Sequence, residues 1–432
     1  MLKNDIRSND QSSNRPEIWI VNQYAITPDL PGGTRHYDFG CELVKKGYRV
    51  CIFASDVNLA LRRHTKLSAN ELWREEQVNG VRFVWVRAAT YEKNNWRRIW
   101  NMLSFAFNTC RVAIKFVRSK PQAVIGSSPH PFAAFAGWVI SRLKQSTFVL
   151  ELRDLWPQAL IDMGGMSETS AQARLLRLLE RFLYKSATCI VVLASGSRDY
   201  LVKHGVPSER IVYIPNGVHL KNFALGSGDA TVGSTVPKLK DKFGFHRFTV
   251  IYTGAHGPAN ALETVLRAAD LLRSRREIEF VLVGDGPSKD VLIEEAARSK
   301  LDNVRFIDPV PKAEIPELLA ASDAALITLR AANAFSYAVS PNKLFDYMAV
   351  SRPIICAVPG DMARLVTDNG IGIAVEPENP AALARAVEQI FGLSDEERAA
   401  MGRRGRELVE REFSRERLAE RLVTSLTAFS RR

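Results

Sequence analysis

The chain of 432 residues is 46% hydrophobic and 25% charged, which excludes a disordered protein and gives room for two domain cores of about 200 residues each. A formal net charge of +12 suits an anionic partner, whether nucleic acid, an acidic lipid surface or a phosphorylated substrate. The basic residues are dispersed and no nucleic-acid-binding motif is present, which argues against nucleic acid.

From Met1 to Arg15 the sequence is polar, with no apolar run after a basic start, and reads as a frayed tail, not a signal peptide. Beyond it, short β-branched runs predict strands at Ile18 to Val21, Arg49 to Phe53, Arg82 to Val86, Ala123 to Gly126, Phe148 to Leu152, Cys189 to Leu193 and Ile211 to Ile214. A second series falls at Thr249 to Tyr252, Phe280 to Val283, Val304 to Ile307, Ala324 to Thr328, Ile354 to Ala357 and Gly372 to Val375. Most are continuous apolar runs, as expected of strands buried on both faces of a parallel sheet.

Helical spacing fills the gaps. Leu175, Leu178, Leu179, Phe182 and Leu183 form one apolar stripe, and Leu262, Val265, Leu266, Ala269 and Leu272 another. The small-residue stretch from Gly226 to Val236 reads as linker or loop, and Ser394 opens a capping box with Glu397 before a helical C-terminus. The alternation predicts an α/β fold with two doubly wound, Rossmann-like parallel sheets, whose ligands bind beyond the carboxyl ends of the strands. The cleft between the two domains is then the expected site. Five cysteines (Cys41, Cys51, Cys110, Cys189 and Cys356) have no paired spacing, which argues against a zinc or disulfide framework and fits a reducing cytoplasm.

Five motifs follow predicted strands. Pro31-Gly32-Gly33-Thr34 precedes a helix carrying His36 to Val44; paired glycines let a backbone approach phosphate, although an ordinary glycine turn has the same form. Glu151-Leu152-Arg153-Asp154-Leu155-Trp156-Pro157 places Arg153 and Asp154 at the mouth of the first sheet, as a structural ion pair or as a site for sugar hydroxyls walled by Trp156. Pro215-Asn216-Gly217-Val218 is turn-like and suits a crossing between domains, and Gly284-Asp285-Gly286-Pro287 is a second strand-to-helix turn. Ser340-Pro341-Asn342-Lys343-Leu344-Phe345-Asp346-Tyr347-Met348-Ala349 sets a lysine and a carboxylate three apart at the start of a helix. Lys343 could there meet phosphate and Asp346 a ribose diol, or the two could form a surface ion pair. No Asp-x-Asp or His-x-x-x-His spacing occurs, so no bound metal and no other cofactor is expected.

In this order, from about Ile18 to Arg417, the motifs resemble those of family 4 of the retaining glycosyltransferases, and among them the bacterial N-acetyl-fucosamine transferases of O-antigen and capsule assembly. The resemblance implies the GT-B arrangement: an acceptor domain over residues 17–215, a donor domain over residues 216–414, and a last helix over residues 415–432 returning to the first. The implied donor is a nucleotide diphosphate sugar, with UDP and an N-acetylated deoxysugar the family-based choice, and the acceptor is polyprenyl-linked or a saccharide. Donor binding would fall to Gly32, Gly33, Gly254, His256, Gly284, Asn342, Lys343 and Asp346. Catalysis would fall to Lys343, Arg153 and Asp154, and the sugar or acceptor pocket to Trp156 and His130. Two departures stand out. Relatives carry a first acid where this chain has Ala338, and often a basic residue in the loop where only His256 is available.

Without a carboxylate nucleophile at fixed spacing, front-face attack with retention is expected, resting on positioning and on stabilisation of the leaving diphosphate. A nucleotide-sugar epimerase on the same fold and a catalytically silent binding partner are the alternatives. A cytoplasmic place, peripheral on the inner face of the membrane, is also expected. It rests on the segment Trp96 to Arg118, where Arg97, Asn101, Ser104, Asn108, Arg111, Lys115 and Arg118 fall on one narrow face among aromatic and aliphatic residues. A buried domain helix with a basic solvent face is the competing reading. Arg111 and Lys115 interrupt the apolar run, which argues against a transmembrane span.

Overall fold

An apolar strand with no polar side needs cover on both faces, and burial is nearly continuous along the inner strands of both sheets of this protein. The computed structural model describes residues 15–92, 96–162, 165–226, 229–331 and 340–430. It divides into two compact units. The first comprises Met1–Val192, Leu201–Tyr213 and Ala419–Arg432; the second comprises Leu193–Tyr200 and Ile214–Leu418.

In the first unit the strands are β1 (Glu17–Val21), β2 (Arg49–Ser55), β3 (Trp73–Val78), β4 (Val81–Val86), β5 (Ala123–Ser128), β6 (Thr147–Leu152), β7 (Cys189–Val192) and β8 (Ile211–Tyr213). They form one sheet in the order β3-β4-β2-β1-β5-β6-β7-β8. Every pairing is parallel except β3 with β4. Seven of these strands coincide with the expected runs; β3 does not. Its sequence, WREEQV, has no buried position, because an edge strand paired on one side needs no apolar face. Three helices named below are α1 (Arg35–Lys45), α2 (Trp96–Lys115) and α3 (Pro131–Lys144).

The second unit holds β9 (Phe248–Thr253), β10 (Ile278–Val283), β11 (Val304–Ile307), β12 (Ala324–Thr328), β13 (Ile354–Ala357) and β14 (Gly372–Ala374). All pairings are parallel, in the order β11-β10-β9-β12-β13-β14. Leu262, Val265, Leu266, Ala269 and Leu272 are buried against this sheet as their spacing predicts. The Ser394–Glu397 capping box is present with both of its hydrogen bonds.

Three expectations are corrected. The stretch read as linker holds the first turns of a helix, Asp229–Phe243, anchored by buried Leu239 and by an ion pair of Lys240 with Asp323 at 2.7 Å. Tertiary packing here overrides a composition rich in Ser, Thr and Gly. The stripe on the helix Ala171–Ser186 is turned: Ala173, Leu176, Glu180, Leu183 and Tyr184 are buried, while Leu175, Leu178 and Phe182 are exposed. Finally, α2 ends at Lys115, short of the expected Arg118, and buries Asn101, one of the residues of the expected polar face. Ala338, the position of the missing acid, lies outside the described residues.

Helix α3 lies directly on β5. A Cβ on Gly137 would stand 2.8 Å from the Gly126 Cα, so backbone meets backbone there. Gly137→Ala is therefore expected to lower the unfolding free energy by about 1–3 kcal/mol through overpacking, outweighing the roughly 0.5–1 kcal/mol helix gain of alanine. Urea denaturation measures this, and an unchanged midpoint would show that α3 shifts freely.

Candidate functional site

In the second unit the loops after β9 and β10 are locked together by glycine. Gly284, at φ 141°, lies so near the Gly254 carbonyl that a Cβ would come within 2.0 Å of its oxygen. The Gly254 N–H donates to the Val283 carbonyl at 2.9 Å, and the His256 N–H to the Asp285 carbonyl at 2.8 Å. A Cβ on Gly254 would also stand 2.7 Å from Lys343 Cε, so the glycine opens the space that the lysine enters.

Lys343 reaches that space from the first turn of the helix Asn342–Ala349, while Asn342 beside it is exposed. Its Nζ donates to the Tyr252 hydroxyl at 2.7 Å and to Asn260 Oδ1 at 3.4 Å, and lies 4.0 Å from the centre of the Tyr252 ring. These are neutral partners. Desolvation pushes the ammonium down to about 7. Asp346, one turn on, is pushed up to about 7 by burial, with Arg415 and Lys312 opposing. The polar contacts of Lys343 are made with Tyr252 and Asn260 and not with Asp346, so the surface ion pair between the two is not formed.

His256 is fully buried, and neither ring nitrogen has a hydrogen-bond partner among the described residues. Burial lowers its pKa, with Lys289 adding to the effect and Asp285 opposing it. An unpaired buried imidazole is costly. Together with a lysine that has only neutral partners, it leaves the carboxyl end of this sheet chemically able to take an anionic, hydrogen-bonding guest.

In the first unit the corresponding strand ends carry a closed network. Glu151 is buried and accepts from His36 Nε2 at 2.7 Å, Arg35 Nε at 3.1 Å and Ser127 Oγ at 2.6 Å. Burial would raise its carboxyl, but His36 and Arg35 prevail and hold it well below the usual carboxylate range. Arg153 acts on the same group through space. Asp154 keeps an exposed edge, yet desolvation raises its carboxyl, with Arg153 opposing. Asp154 and Trp156 border a small recess shared with Glu180 and Tyr184, with room for about one water. His130 is fully buried and does not line that recess. Its Nδ1 accepts the Ala133 N–H at 3.3 Å as the cap of α3, and Nε2 donates to Gln23 Oε1 at 2.6 Å. Gly32 and Gly33 lie exposed in the loop after β1, and a side chain on Gly33 would meet open space.

Residues 32–217 match the family model for a glycosyl transferase 4-like domain, and residues 247–392 that for glycosyl transferases group 1. The chain belongs to the glycosyltransferases. A probable glycosyltransferase of Pseudomonas aeruginosa, WbjE, is 31% identical over 57% of this chain, which spans 60% of the length of that relative. The putative colanic acid biosynthesis glycosyl transferase WcaI of Escherichia coli K12 is 25% identical, covering 82% of this chain and 86% of its own. The fold is also that of the Anabaena protein HepE, solved in complex with UDP-glucose, with a TM-score of 0.68, 16% identity, and coverage of 95% and 99% of the two chains.

Sequence reasoning missed the supports of this glycosyltransferase's candidate residues. Tyr252 read as strand core, yet its hydroxyl receives Lys343. Glu151 read as one of three charges in a motif, and Arg35 and His36 as the opening of a helix. No periodicity signals such partners, because they lie 91 and 115 residues apart along the chain.

Lys343 titrates near 7 in the folded chain and at an ordinary 10.5 when unfolded. Between those values the unfolded chain binds more protons, so this group makes stability rise with pH. Asp346 holds its proton up to about 7 when folded and loses it near 3.8 when unfolded, so its contribution falls across that window. Calorimetric melting is expected to show Lys343→Met removing part of the rise above pH about 7, and Asp346→Asn removing part of the fall below it. Curves parallel to wild type in both windows would mean that neither group is desolvated.

Proposed function

We propose that this glycosyltransferase takes a sugar from a nucleoside diphosphate, with a UDP-linked N-acetylated deoxysugar as donor, and passes it with retention to a polyprenyl-linked or saccharide acceptor in cell-surface polysaccharide assembly. The observation that carries the reading is the desolvated Lys343 beside the two unpartnered nitrogens of His256. A cation held among neutral groups gains most when a dianion arrives, because the guest restores the stabilisation that burial removed. The name of WcaI supports a polysaccharide product, and the UDP-glucose complex of HepE supports a uridine nucleotide on this fold.

In the proposed reaction the bond from the anomeric carbon to the β-phosphate oxygen breaks. The acceptor oxygen forms its bond on the same face, and its proton passes to the departing phosphate. Lys343 meets the charge growing on that oxygen, aided by the N-terminal dipole of its own helix. Asp346 accepts from the ribose diol, and Gly254 and Gly284 keep the wall free of side chains. No metal is required if these groups carry the charge.

Lys343→Ala should lower kcat by about 100-fold with a smaller loss of donor affinity; single-turnover rates within about threefold of wild type, under 1 kcal/mol, would remove Lys343 from the reaction. For Asp346→Ala, titration calorimetry with UDP should show a loss of about 1.5–3 kcal/mol in a protein that still melts cooperatively. Unchanged affinity would take Asp346 out of the site. Excess chelator should leave turnover intact, whereas strict dependence on magnesium or manganese would overturn the metal-free reading.

A further inference from the structure

Helix α2 is apolar on two sides: Met102, Phe105, Val112 and Ala113 are buried in the first unit, and a second apolar row is left exposed. Its amides and hydroxyl are consumed by the adjoining segment: Asn101 donates to the Ala89 carbonyl, Ser104 Oγ accepts the Ala89 N–H at 2.9 Å, and Asn108 donates to the Arg87 carbonyl at 2.9 Å. The face left outside holds Trp96, Trp100, Leu103 and Phe107 at helical spacing. Trp96 is 69% exposed, Trp100 57% and Phe107 70%. Full burial of one such side chain is worth about 1.5–3 kcal/mol, so a row of them in water calls for a cover.

The row does not stand alone. Helix α3 packs beside α2, and the helix Ala171–Ser186 packs beside α3, where Phe135 and Phe182 meet at 6.1 Å. Phe135, Leu143, Leu175 and Leu178 are also exposed on these neighbouring helices. The charge on the three helices is of one sign. They carry ten Lys or Arg residues and a single acid, Glu180, which is buried and bonded to the Tyr184 hydroxyl at 2.7 Å. The whole chain has 59 basic residues to 47 acidic ones, so these three helices carry much of the net +12.

We infer that this face of the first unit docks on the surface of an anionic phospholipid bilayer. The aromatic row of α2 enters the headgroup boundary, and Arg111, Lys115 and Arg142 around it meet lipid phosphates. Protein interfaces are depleted of lysine and need complementary charge. Indole and phenyl groups beside cations, with no exposed acid on the three helices themselves, match an anionic interface instead. Among the described residues no helix is long and apolar enough to cross a membrane, so the contact is peripheral. The inference is independent of the donor reading.

The test is co-sedimentation of the full chain with phosphatidylglycerol-containing vesicles and with phosphatidylcholine vesicles, together with tryptophan fluorescence. Wild type should bind the anionic vesicles and not the neutral ones, with emission moving to shorter wavelength. Trp100→Asp with Phe107→Asp should abolish binding. Arg111→Glu, Lys115→Glu and Arg142→Glu together should weaken it by about 100-fold, at roughly fivefold per lost cation. Circular dichroism and melting must match wild type in both variants. Equal binding to neutral vesicles, no binding, or variants that bind like wild type would overturn the inference. So would a lipid-free dimer in sedimentation equilibrium that Trp100→Asp with Phe107→Asp dissolves, since a second copy would then be the cover.

Discussion

Strands buried on both faces can offer functional groups only where they end. That constraint governs both units of this glycosyltransferase: the parallel ladders hold apolar cores and leave their carboxyl ends to loops and helix starts. In the second unit those loops have no freedom of their own. Gly254 and Gly284 press backbone against backbone, and the space this creates is filled by Lys343. The position of the cation thus follows from the packing of two glycines.

The two units treat buried charge in opposite ways. In the first, Glu151 is neutralised by Arg35 and His36 and satisfied by Ser127, a closed arrangement with nothing left to bind. Removing one partner of such a set leaves an uncompensated charge, so its natural role is to hold β5, β6 and α1 in register near Arg153 and Asp154. In the second, Lys343 rests against a phenol and an amide, and His256 finds no partner for either nitrogen among the described residues. An incomplete network of this kind costs folding energy and is expected where a ligand completes it.

On α2 some polar side chains turn toward a neighbouring backbone that offers them hydrogen bonds, and part of the apolar surface of the helix is left outside. Asn101, Ser104 and Asn108 do this on α2 by bonding the main chain at residues 87 and 89. On the helix Ala171–Ser186 the buried Glu180 is satisfied within the helix itself, by the Tyr184 hydroxyl, and Leu175 lies outside.

Thirteen strand positions, the all-apolar character of most strands, the capping box at Ser394 and the ordered motifs were legible in the sequence, because each depends on local spacing or on a contiguous run of residue types. The family could be read for the same reason. β3 escaped because an edge strand carries no apolar signature, and the helix Asp229–Phe243 because its first turns are built of loop-forming residues held by Leu239 further on. Lys343 could be singled out from its motif, but not its placement against Tyr252 or its separation from Asp346. Periodicity determines which residues share a face of a helix. Only tertiary packing decides which face is covered, because that depends on neighbours outside the helix and on the hydrogen bonds their backbones can supply.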